Sequence, residues 1–359
     1  MGINNLSQLI NKDLYEEVSY ETFAQKKIAI DAPYIMFKYN IIHSTSVIKA
    51  YINLLTRLRT HNIHPIFIFD GEHPPEKLLE SKKRKETKAA LVSQIQRLED
   101  DLEEYEQAQA EMCAQECAQA PTDPDSPLTL DDLPMVQPSD LLKRTYEAKL
   151  MPEGSLVTIF NAERMREYIA KLKQRTFTLK ASDINLCKDI LTLFKVPFDQ
   201  APGEAEIYCT KLCQEGYVSA VLSADTDIMA AGCPVILREI TSSGFKGIFL
   251  NNILDDLELT QAQWLDLCIL CGTDFNKNIP LIGPKKALQL IKTYQRLEDL
   301  PVDTSILNFK RVRELYLTDH LPLQRPYNFI PYLDKGEVTE VLKKYNLSYL
   351  YNSFKPLMK

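Results

Sequence analysis

Seven carboxylates of this 359-residue chain stand where an apolar run stops or a helix begins. Asp31 closes "KKIAID", and Asp70 follows the Ile- and Phe-rich run of "HPIFIFDG". Asp225 and Asp227 follow "VSAVLSA", Glu204 and Glu206 open "GEAEIYC", and Asp274 follows the apolar run before "CGTDF". Each acid has an ordinary reading. A lone Asp after a strand is commonly a turn residue or helix cap. Glutamates in a first helical turn complement the helix dipole. Asp225-x-Asp227 alone fits a phosphatase or sugar-transferase motif as well. Together the seven read differently. Gathered in one cleft they would repel one another and hold their own protons unless cations neutralise them. An all-oxygen donor set without His or Cys selects Mg²⁺, with Mn²⁺ able to substitute. Two divalent ions would offset much of the charge, and such pairs serve phosphodiester hydrolysis.

Gathering them requires parallel strands, because ligands of open parallel sheets bind beyond the strands' carboxyl ends. "KKIAID" (26–31) and "HPIFIFDG" (64–71) are short continuous apolar runs, the pattern of strands buried on both faces. Between them, Ile48, Tyr51, Ile52, Leu55 and Leu58 have helical spacing. Strand, helix, strand opens an α/β fold, a mostly parallel central sheet with helices on both faces. "INLCKDILTLFKVPF" reads as a helix running into a strand, and "GYVSAVLS" and "CPVILREI" as further strands. The N-terminal part of the core spans 1–75 and its second part 181–258. Residues 76–180 form a helical, highly charged insertion with an acidic, Pro-rich linker over 99–140. Residues 259–300 form a helical module and 301–359 a C-terminal helical segment.

Charge is unevenly placed. The formal net charge is −7, yet residues 99–132 hold twelve acids and no Lys or Arg; the remainder carries +5. The acidic stretch is expected to repel phosphates from wrong substrates. The alternative is that it folds against the basic helix of the insertion. No run approaches the roughly 20 apolar residues of a membrane span, and "MGINNLSQLI" lacks the pattern of a signal peptide. Leu6 stands where an acylation signal carries Ser or Thr. A soluble, intracellular protein without membrane association is expected. Cys268 and Cys271 form a Cys-x-x-Cys pair with no second pair to complete a zinc site, and read as buried small side chains.

Taken together, the blocks "MGINNLSQLI", "IAIDAPYIMF", "PIFIFDGEHPP", "VPFDQAPGEAEIYC", "VLSADTDIMAAG" and "LDLCILCGTDF…IPLIGPKKALQLI" resemble the flap endonuclease, or XPG-type, 5′ nucleases. The resemblance covers most of 1–75 and 180–295 and includes a divergent or viral member. It implies the PIN-like 5′ nuclease fold, with 76–180 as a helical arch and 259–300 as a helix-two-turn-helix. It further implies Asp31, Asp70 and Glu206 as ligands of one Mg²⁺, Asp225 and Asp227 as ligands of a second, and Glu204 and Asp274 acting through water. Lys77 and Arg84, seven residues apart, take the place of the arch cations that polarise the scissile phosphate. The basic run containing Arg84 also fits a localisation signal or a solvated face.

By the same resemblance the amino group of Gly2, after removal of Met1, lies close to the site, and Phe37 stacks on a base. Gly283, Lys285 and Lys286 hold duplex phosphates, and the carbonyls of Asn278, Ile279 and Ile282 bind K⁺. The expected substrate is flapped or branched double-stranded DNA, cut by a monomer in the nucleus or another site of DNA replication. A 5′ exonuclease, a junction resolvase, a non-catalytic DNA-binding scaffold and an RNA-cleaving enzyme are the rival readings. Three departures from the family are visible. The segment between Asp31 and Asp70 is short, the insertion is long, and "LYNSFKPLMK" carries no sliding-clamp motif.

Overall fold

Alternate residues of β2 (Lys27–Asp31) and β3 (His64–Phe69) enter two separate cores. Ala29, Ile66 and Ile68 pack on one side of the sheet, and Ile28, Ile30, Phe67 and Phe69 on the other. This two-sided burial is why both strands read as unbroken apolar runs. In this computed structural model they belong to a sheet of seven strands among the described residues. These are 2–3, 5–42, 47–118, 136–151, 160–318, 321–322, 327–344, 346, 348–355 and 358.

The other strands are β1 (Glu16–Ser19), β4 (Phe198–Gln200), β5 (Val221–Leu222), β6 (Val235–Ile240) and β7 (Gly244–Phe249). The order is β1-β7-β6-β5-β2-β3-β4. Pairings from β6 to β4 are parallel, and β7 runs antiparallel to both β6 and β1. The sheet is therefore mixed, with the expected parallel centre and an antiparallel edge. That edge has no apolar run to announce it. Val18 is the only buried residue of β1. At Gly244 the backbone of Val18 comes so close that any Cβ would overlap it.

Helices α1 (Ala32–Ile42) and α2 (Val47–Thr60) lie between β2 and β3. Helices α3 (Leu78–Ala118), α4 (Asp140–Leu150) and α5 (Ala162–Arg175) follow β3, and α6 (Ala181–Leu193) precedes β4. The rest are α7 (Ala205–Gln214), α8 (Asp227–Ala230), α9 (Leu250–Leu257), α10 (Gln261–Cys271), α11 (Pro284–Tyr294), α12 (Phe309–Tyr316), α13 (Lys335–Lys344) and α14 (Tyr351–Phe354). One face of the sheet is covered by α1, α2, α6, α13 and α14, the other by α7 to α12. Trp264 of α10 is fully buried in the second layer and donates its indole N–H to the Met229 carbonyl at 2.8 Å. Cys268 and Cys271 are buried free thiols of the same helix.

The chain divides into two compact units, Met1–Ser81 with Leu179–Lys359, and Lys82–Thr178. The second unit has its own core. Ile95, Leu98, Leu102 and Tyr105 form a helical stripe on α3 and pack with Leu142 and Tyr146 of α4 and Met165, Ile169 and Leu172 of α5. The linker assigned to 99–140 is corrected in part: 99–118 continues α3, because Leu102 and Tyr105 have apolar partners there. Its acids are also partly balanced. Glu99 pairs with Lys173, and Glu106 with Arg166 at 2.8 Å, both cations of α5. Residues 119–135, the Pro-rich centre, lie outside the described residues. No helix of the described residues is long and apolar enough to cross a membrane.

Candidate metal centre

The parallel strands β3, β2 and β5 bring their carboxyl ends to one edge, and the acids collect there. Asp31 is 2% exposed and held from two sides. Ser223 Oγ donates to its Oδ2 at 2.7 Å and the Tyr34 amide to its Oδ1 at 3.2 Å. Burial pushes its carboxyl up to about 7; Ser223 and Tyr34 pull it back, while the Asp70 and Asp225 charges push it further. The same Ser223 hydroxyl accepts the Asp225 amide at 3.1 Å, so one side chain ties β2 to the loop after β5.

Asp70 accepts the Ala205 amide at 3.0 Å, placing it on the first turn of α7. That turn presents Glu204 at its cap and Glu206 two residues on. Oxygen atoms of Asp70, Glu204 and Glu206 all lie within 4.8 Å of one another. Glu204 is buried and already has two partners, the Lys77 ammonium and His73 Nδ1 at 2.9 Å. Glu206 is different. Its Oε2 is buried without a hydrogen-bond partner, and burial with the charges of Asp31, Asp70 and Asp225 drives its carboxyl well above the usual range. An orphaned carboxylate oxygen among other acids has the chemistry of a cation ligand. The all-oxygen set therefore fits hard divalent ions.

Asp227 begins α8, where its amide donates to Asp225 Oδ1 at 3.2 Å. It is buried, and the Tyr316 hydroxyl donates to its Oδ1 at 2.8 Å. Burial, then Asp225 and Asp274, raise its carboxyl well above normal. Asp274, also buried, stands three residues past α10. Lys77 is the cation of this cluster. Burial lowers its pKa, but Glu204, Glu206 and Asp274 outweigh that cost and raise it. At Gly2, φ is 90° and a Cβ would overlap Asp225 Oδ1 and Thr226 Oγ1. The next amide, of Ile3, donates to Thr226 Oγ1 at 2.8 Å. Gly2 and Ile3 are thereby held beside Asp225 and Thr226.

The other expected residues stand on α1, on α3 and around the start of α11. Arg84 is on α3 in the second unit. Phe37 is half-buried on α1. Gly283 caps α11 with Pro284 at its first position, and Lys285 and Lys286 are exposed in its first turn. Before that helix, Asn278 is exposed, Ile282 is buried, and the Ile279 carbonyl accepts the Ile282 amide at 3.2 Å. Three contributors escaped the sequence reading. Ser223 left a signal, a hydroxyl inside an apolar run. His73 stands only three residues past Asp70. Tyr316 left none, since it lies 89 residues from the acid it contacts.

Residues 1–91 match the XPG N-terminal domain and residues 195–274 the XPG I-region. The chain is 31% identical over 344 residues to the probable RAD2-like endonuclease 076L of Invertebrate iridescent virus 3, covering 88% of this chain and 85% of that protein. The chain belongs to the XPG family of structure-specific 5′ nucleases. This XPG nuclease is also 28% identical to the putative RAD2-like endonuclease 095R of Frog virus 3, over 88% of this chain and 83% of that one. Human flap endonuclease 1 is 26% identical, over 84% of this chain and 68% of its own. Among solved structures, the catalytic core of Rad2 in complex with DNA substrate superposes with a TM-score of 0.62 at 15% identity, covering 99% of this chain and 100% of that one. Flap endonuclease-1 from Methanococcus jannaschii gives 0.55 at 19% identity, with 96% of each chain covered. These two likenesses establish the shared fold. All seven acids, Gly2, Lys77 and Arg84 fall within the two family spans; Tyr316 falls beyond both.

Proposed function

We propose that this XPG nuclease hydrolyses DNA phosphodiesters near junctions of single strand and duplex, with two divalent cations at the acid cluster. The observation that carries the reading is Glu206 Oε2, buried without a hydrogen-bond partner on a residue that clusters with Asp70 and Glu204. Asp31, Asp70 and Glu206 would hold one Mg²⁺, and Asp225 and Asp227 the other, with Glu204 and Asp274 acting through water. When bound, such ions stabilise charge on phosphoryl oxygens and make water a better nucleophile.

The chain's own residues do the rest. Ser223 keeps Asp31 and the Asp225 loop in register. His73 and Lys77 fix Glu204, and the Lys77 ammonium is available to the scissile phosphate once substrate displaces a carboxylate contact. Arg84 is assigned the same role from the second unit. After removal of Met1 the amine of Gly2 would lie beside Asp225, where no Cβ could fit. Phe37 stacks an unpaired base, while Gly283, Lys285 and Lys286 bind duplex phosphate at the start of α11. Carbonyls of Asn278, Ile279 and Ile282 would hold K⁺ there. The protein acts as a monomer on flapped or branched duplex, where DNA is replicated or repaired.

The deciding experiment is cleavage of 5′-labelled flap, nicked, blunt and four-way DNA, each with Mg²⁺ and with EDTA. Mg²⁺-dependent cutting of the flap at its junction, well above blunt duplex, is expected. Cutting that persists in EDTA would overturn the metal reading. Preferred cutting of the four-way junction or blunt end would move the protein to the resolvase or exonuclease branch.

A further inference from the structure

Helix α12 reaches the acid cluster from a part of the chain that neither family span includes. It is fastened at two positions three residues apart, hence on one side of the helix. Arg313 donates two parallel hydrogen bonds to buried Asp266, Nε to Oδ1 and Nη2 to Oδ2, both at 2.7 Å, and also pairs with Glu298. Tyr316 is 1% exposed, its ring meets Phe275 edge-on with centroids 5.3 Å apart, and its hydroxyl donates to Asp227 Oδ1 at 2.8 Å. Phe275 directly follows Asp274 in the chain.

A carboxylate with one oxygen held by a buried donor has lost its free rotation. Its other oxygen then has a fixed bearing. Groups placed in this way behind a ligand typically change metal affinity 10–100-fold when removed. Resting on the two-cation reading above, we infer that Tyr316 is a positioning residue for the second cation, orienting Asp227 through its hydroxyl. Helix α12 is then part of the active centre, with Arg313 as the anchor that keeps the hydroxyl in place.

The test is Mn²⁺ binding to the full chain, read from the electron spin resonance of free Mn²⁺, with no DNA present. Tyr316→Phe keeps the ring and its packing on Phe275 and removes only the hydroxyl. The unaltered chain is expected to show two sites, and Y316F to weaken one of them at least tenfold while the other is unchanged. D227N should lose that same site. Arg313→Lys serves as the control for loosened docking of α12, since it leaves the hydroxyl intact. Identical isotherms for Y316F and the unaltered chain would overturn the inference, whatever happens to Tm. Equal loss of the site in R313K and Y316F, at equal loss of Tm, would overturn it too, because docking alone would then explain the effect. Absence of saturable Mn²⁺ binding by the unaltered chain is a separate outcome; it would sink the two-cation reading itself.

Discussion

Asp31→Asn should stabilise the metal-free protein at neutral pH while abolishing its activity. The Asp31 carboxyl is raised from 3.8 to about 7, mainly by burial. A raised carboxyl means that the folded state holds the proton more tightly than the unfolded chain. The penalty is therefore absent below about 3.8, grows as pH rises, and is complete above about 7. A shift of that size corresponds to about 4 kcal/mol. Asparagine carries no charge to desolvate, but its single carbonyl oxygen cannot accept from both Ser223 and Tyr34, which costs about 1 kcal/mol. The net gain at pH 8 is about 3 kcal/mol, or roughly 5 °C in Tm. At pH 4 the two proteins should melt alike to within the lost hydrogen bond. The assay is thermal melting in EDTA across pH 4–8, repeated with Mg²⁺. Divalent ions should remove the advantage of D31N by neutralising Asp31 in the unaltered protein. A D31N protein that melts lower at pH 8 in EDTA would refute the reasoning, because the electrostatic strain would then not exist.

Asp227→Asn should lower cleavage at least about a hundredfold, since metal-assisted charge stabilisation is worth several kcal/mol; gel-shift affinity for the flap should largely survive. Lys77→Ala and Arg84→Ala should each reduce single-turnover cleavage much more than binding. Equal single-turnover rates for the mutants and the unaltered enzyme would leave Lys77 as a structural partner of Glu204 and return Arg84 to a solvated face. Replacing 119–135 by a short Gly/Ser linker should leave the Tm and helical circular dichroism of the second unit nearly unchanged, because the replacement keeps every core residue described on α3, α4 and α5. Extending the replacement back to residue 99 removes Leu102 and Tyr105 and should unfold that unit instead, visible as a lost transition and lost helical signal.

The acids that make the site were legible because their placement is a local matter. Ile28, Ile30, Phe67 and Phe69 alternate with Ala29, Ile66 and Ile68, and that pattern alone commits β2 and β3 to a sheet buried on both faces. Once those strands are parallel, Asp31 and Asp70 must arrive at one edge, and the apolar run before Asp225 brings a third strand beside them. The antiparallel edge was not legible, because β1 buries only Val18 and the buried Phe245 and Ile248 of β7 sit in a short run broken by Gly244, Lys246 and Gly247. Nor was the state of the acidic stretch. Its charges look uncompensated in sequence, and only the return of α5 brings Lys173 to Glu99 and Arg166 to Glu106. The hydrogen bonds that orient the carboxylates belong to the same class. His73 on Glu204 and Tyr316 on Asp227 span 131 and 89 residues of chain. Residue type and spacing decide which groups gather at the strand ends. Which donor meets which carboxylate depends on how distant segments pack, and that is set by the burial of side chains that carry no chemistry at all.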